Sequence, residues 1–170
     1  MWSTLIAVLG TLAGAALASL TAHWVDRRAR AAEHEQRVLD AVAQLLAASL
    51  AYREIYWLQI ADLREGMDPT REGRADLFRA RTAVTQAFDR LALATTDREL
   101  TDAANEAAWS AIDLGDIPLG RVREGHFDGD VEAALTAGRE RSRDAHTALR
   151  NAARTRTSHR GGGDGTAPHA

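Results

Sequence analysis

The chain has 170 residues, a net charge of -3 and no cysteine. With both ends unsuited to a soluble core, it has room for one small globular domain. It has no disulfide framework, no thiolate nucleophile and no cysteine metal site. The acidic balance argues against a nucleic-acid binder acting through its whole surface, although local basic faces remain possible. All 21 basic residues are arginine and alanine is abundant, the bias of a GC-rich genome, so arginine content alone carries little weight.

From Trp2 to Val25 there is no Asp, Glu, Lys or Arg. As a helix this stretch spans ~36 Å, more than the ~30 Å hydrocarbon core of a bilayer. The spacing predicts a transmembrane anchor over residues 1–25, with Trp2 and Trp24 at the two interfaces. Arg27, Arg28 and Arg30 follow directly as a stop-transfer flank, which places the remainder on the cytoplasmic side of the cell membrane. A secretory signal peptide is the rival, because Ala16-Leu17-Ala18 has the form of a cleavage site. The missing basic segment before the apolar run and the arginines after it oppose that reading. Gly10, Gly14, Ala18 and Ala22 recur every fourth residue, a small-residue stripe that permits close pairing of two spans and implies self-association. A genome rich in alanine would also produce it.

Between Gly14 and Gly66 there is neither glycine nor proline, so the same helix is expected to continue beyond the anchor as one long rod. Val38, Val42, Leu45, Leu46, Ser49, Leu50, Tyr52, Tyr56, Trp57, Ile60 and Leu63 recur at spacings of three and four. That face is too wide for a zipper seam and suits a bundle core. Asp40, Gln44, Arg53 and Glu54 interrupt the run, which excludes a second span as the preferred reading.

Gly66 and Asp68-Pro69-Thr70 are expected to close this helix and open a second, with the proline in its first turn and Leu77, Val84, Phe88 and Leu91 on its inner face. Thr96 with Glu99 has the form of a capping box for a third helix carrying Leu100, Ala104, Ala108, Ala111 and Ile112, with Trp109 at its edge. The connection marked by Gly115, Pro118, Gly120 and Gly125 contains Ile117, Leu119, Val122 and Phe127, which should fold back on the bundle. Asp128 or Asp130 can cap a last helix carrying Val131, Leu135, Ala145 and Leu149. The polar, glycine-rich stretch 157–170 is expected to be disordered. The fold class is therefore all-α: a transmembrane helix running into an antiparallel helical bundle over residues 26–156, with a disordered tail.

Catalytic groupings are scarce. The glycine-rich tail lacks the lysine of a phosphate-binding loop. Glu33, His34 and Glu35 are adjacent and so diverge around a helix, and Asp144 with His146 has the same defect. No serine stands in a nucleophile elbow. The sequence implies no cofactor, no metal and no enzyme. One pattern is sharper: Arg139, Arg143, His146, Arg150 and Arg154 fall at i, i+4, i+7, i+11 and i+15. They share a narrow arc about 100° from the Val131, Leu135, Leu149 face. Such a basic stripe suits phosphate backbones or anionic headgroups. An ordinary solvated face, with Glu140 and Asp144 close by, would look similar.

The opening Met1-Trp2-Ser3-Thr4-Leu5-Ile6-Ala7-Val8-Leu9-Gly10-Thr11-Leu12-Ala13-Gly14, followed by an Arg- and Ala-rich helical domain, resembles the small actinomycete membrane proteins of the KilB family. That resemblance implies a cell-membrane protein acting with other factors of conjugative plasmid transfer and intramycelial spread, with no catalytic residues to carry across. Two readings follow. One is a non-enzymatic membrane-anchored interaction protein with transfer-protein partners. The other is a membrane-tethered regulator contacting nucleic acid or anionic lipid through the arginine stripe.

Overall fold

A computed structural model describes the backbone over residues 2–161 and the side chains over residues 23–158. Within it α1 is Trp2–Arg64, α2 is Arg71–Ala94, α3 is Arg98–Ile112 and α4 is Gly129–Gly161. A 3-10 turn at Asp113–Asp116 follows α3, and no strand occurs among the described residues. The chain divides into two compact units, residues 1–37 and residues 38 onward, with the boundary inside α1.

In the first unit the described side chains are solvent-facing apart from half-buried Glu35. Trp24 is 73% exposed, and Asp26 pairs with Arg30 at 3.8 Å. Among the described residues no helix is long and apolar enough to cross a membrane. The expected span falls on residues 2–25, and the side chains of 2–22 lie outside the described set, Trp2, Gly10, Gly14, Ala18 and Ala22 included.

The second unit is a four-helix bundle with consecutive helices antiparallel. Gln59 of α1 donates to the Gly73 carbonyl of α2 at 2.8 Å, and Arg90 of α2 reaches Gln44 at 3.1 Å. Arg64 at the end of α1 pairs with Glu132 at the start of α4 at 2.6 Å. α3 closes the ring, since Arg156 near the end of α4 holds Asp97 ahead of α3 at 3.1 Å.

The core follows the apolar spacing. Val38, Leu45, Val84, Leu91, Leu100 and Leu149 are at most 1% exposed, each burial contributing about 1.5–3 kcal/mol. Alanines at 104, 107, 108 and 111 line the inner face of α3 and let its neighbours approach closely. Tyr52 crosses the centre, its hydroxyl donating to the Ile112 carbonyl at 3.5 Å. A smaller cluster of Tyr56, Ile60, Leu114, Phe127 and Leu135 is covered by Ile117, Leu119 and Val122, so the connection does fold back.

Four expectations are corrected. Pro69 precedes α2 instead of entering its first turn, because the Thr70 hydroxyl caps the helix by accepting from the Gly73 N–H at 3.0 Å. α3 is capped by Asp97, whose carboxylate accepts from the Leu100 N–H, and not by Thr96. Thr95 turns the chain by accepting from the Asp97 N–H, and Arg156 fixes the same carboxylate, which leaves Thr96 facing solvent. Leu50, placed by spacing on the buried face of α1, is 53% exposed. α4 continues past residue 156 to Gly161, and residues 162–170 lie outside the described set.

Gly66 ends α1. At φ 79° it allows the Met67 N–H to reach back to the Asp62 carbonyl at 2.9 Å, which satisfies one of the free carbonyls of the last turn.

Candidate functional site

α4 lies between α1 and α3, and its two flanks carry arginines in different situations. Toward α3, Arg141 reaches Glu106 at 2.9 Å and Asp113 at 3.5 Å. Its pKa is raised, first by the hydrogen bond that it donates to Glu106 and then by that carboxylate's charge. Arg156, with its side chain 9% exposed, donates to Asp97 and to the Thr95 hydroxyl. These two arginines join helices.

Toward α1 stand the residues of the stripe. Arg139, Arg143, Arg150 and Arg154 are exposed and His146 is half-buried, so the expected arc stands clear of the core. The helical register explains the split, because Leu135, Ser142, Ala145, Leu149 and Ala153 occupy the inner face and leave the stripe beside it. The Arg139 guanidinium lies 5.4 Å from the centre of the Trp57 ring on α1, close enough for a cation–π contact.

A sixth basic residue joins from α1. Arg53 is half-buried against α4, and its pKa is lowered first by burial, then by the charges of Arg143 and Arg139. His146 is likewise lowered, first by burial, then by Arg150 and Arg53. Arg53 Nε and His146 Nδ1 are buried without a hydrogen-bond partner among the described residues. Neither Arg53 nor the four stripe arginines has a carboxylate partner among the described residues. The arrangement is a basic face shared by α1 and α4, whose cations repel one another and have no carboxylate partner among the described residues.

The sequence pattern of α4 could not include Arg53, because pairing between helices is not written in the period of either one. The available signal was its place beside Trp57, one turn away on the flank of the α1 core face. The opposite flank of α1 opens on a shallow apolar groove lined by Ile55, Leu58, Ala80 and Ala83. Of the membrane-interface residues, Trp24, Arg27, Arg28 and Arg30 are exposed. Among the described residues no group of His, Asp and Glu is arranged to hold a metal ion.

Fold and surface together define a small all-helical bundle protein with a basic face on α1 and α4. The family described as KilB plasmid transfer protein matches residues 39–157, more than half of the chain, and the chain belongs to that family. Protein KilB of Streptomyces lividans is 39% identical over 88 residues, covering 50% of this chain and 59% of that relative. The matched length is thus less than two thirds of the relative. No solved structure matches. The family match covers the bundle, whereas the sequence resemblance rested on the opening residues.

Proposed function

We propose that this protein is a non-enzymatic, single-pass membrane-anchored interaction protein that acts in conjugative plasmid transfer or spread. The match of residues 39–157 to the plasmid transfer family carries the reading. The uncharged stretch from Trp2 to Val25, followed by Arg27, Arg28 and Arg30, supports an anchor with the bundle on the cytoplasmic side. Gly10, Gly14, Ala18 and Ala22 support pairing of two anchors, because in lipid close packing must supply the attraction. The bundle then serves as the docking platform for transfer-protein partners.

Reporter fusions placed after Arg30 test the topology. A cytoplasmic reporter should be active and a periplasmic-type reporter silent, with the protein in the membrane fraction. The opposite pattern, or a mature chain beginning near Ser19, overturns the anchor. In the same membranes Gly10→Leu with Gly14→Leu should leave insertion intact and reduce crosslinked dimer, and equal dimer yields remove the pairing claim.

A further inference from the structure

We infer that the basic face of α1 and α4 binds the phosphodiester backbone of nucleic acid, without sequence preference. The inference deepens the interaction-protein reading by naming a partner, and it rests on that reading only for its cellular setting.

Four observations select this partner. The first is extent: from Arg139 to Arg154 the stripe runs ~22 Å along one straight helix. It calls for an anion of similar length, and duplex DNA carries one charge per ~1.7 Å of axis. The second is the state of the cations. Arg139, Arg143, Arg150 and Arg154 have no carboxylate partner among the described residues, so a ligand does not have to displace an internal one. Guanidinium forks match phosphate oxygens in pairs, at arginine's usual advantage over a point charge.

The third observation is layout. Arg53 of α1 stands beside Arg143 and Arg139 of α4, so the basic groups of two helices form one band along the helix axis. A run of covalently linked phosphates matches such a band, whereas a fluid headgroup layer offers no linear order to match it. The fourth is contrast: the chain as a whole carries a charge of -3. With the stripe arginines set aside the remaining charge is more negative still, which opposes binding of a polyanion over the whole surface. An acidic peptide would need carboxylates in register with the arginines. A backbone of evenly repeated phosphates satisfies them at any offset, which removes the need for sequence reading.

The test uses the full chain in uncharged detergent micelles and a short fluorescein-labelled DNA duplex, read by fluorescence anisotropy. Affinity should fall linearly on a log–log plot against salt, with a slope of roughly -3 to -4 for about four phosphates engaged. Replacing Arg139, Arg143, Arg150 and Arg154 with Gln should weaken binding by at least about tenfold at low salt and flatten the slope. The four-Lys counterpart should retain most of it. Circular dichroism and a melting curve establish that each variant is folded. The proposal is overturned by absence of binding at low salt, or by an unchanged slope in a folded four-Gln variant. It is also overturned if phosphatidylglycerol vesicles or polyglutamate bind as tightly as the duplex. Any of these leaves the topology and pairing results standing, so the two readings fail separately.

Discussion

The two flanks of α4 contain the same residue type used in two ways. On the α3 side, Arg141 and Arg156 are met by Glu106, Asp113 and Asp97, and Arg156 is nearly enclosed. On the α1 side, burial and then Arg143 and Arg139 lower the pKa of Arg53, burial and then Arg150 and Arg53 lower that of His146, and among the described residues no carboxylate pairs with these arginines. An isolated exposed ion pair contributes little, about 0–1 kcal/mol. Packed like charges cost stability by similar amounts. The α3 flank therefore reads as structure, and the α1 flank reads as a surface kept at some cost to stability.

The largest effect that should separate the flanks is at Asp97. It caps α3 and pairs with Arg156, so Asp97→Ala removes a cap and one carboxylate acceptor of a guanidinium that is 9% exposed. The expected loss is about 1–3 kcal/mol in chemical denaturation, with DNA affinity unchanged. A loss of binding in a folded Asp97→Ala protein would mean that the two flanks act together.

A smaller effect concerns pH. Burial first, then Arg150 and Arg53, holds His146 below its ordinary value of 6.5. Because the folded value is depressed, the unfolded chain takes up the proton first as pH falls. The stability contributed by neutral His146 is thus present above about 6.5 and is lost as pH falls through the folded value. The melting temperature should decline from neutral to mildly acidic pH, and His146→Gln should reduce that decline. Bound DNA supplies phosphate against the imidazolium, so the decline should also shrink in the complex. Identical pH profiles for the two proteins would remove His146 from the electrostatics of the basic face.

Much of the bundle was legible because the inner positions recur at three and four. Val38, Leu45 and Ile60 on α1, and Leu135 and Leu149 on α4, were placed inside by spacing and are buried. Helix ends were less legible. Thr96 with Glu99 matches a capping box, yet Asp97 won because its carboxylate also binds Arg156 from the far end of the chain, a tertiary term that no local pattern contains. Leu50 fits the apolar period but is exposed, at the edge of a face wider than the core needs. The stripe was visible in α4 alone, whereas Arg53 became part of it only once α1 lay alongside.

One paired comparison tests the division between the flanks most directly: Arg156→Gln and Arg143→Gln, each assayed for thermal stability and for duplex affinity. Arg156→Gln should lower the melting temperature and leave affinity unchanged. Arg143→Gln should lower affinity and reduce the salt slope by about one, with the melting temperature equal or slightly higher. If Arg143→Gln instead destabilises the fold as much as Arg156→Gln and binds DNA as the unmodified chain does, the basic face is structural and the account is wrong.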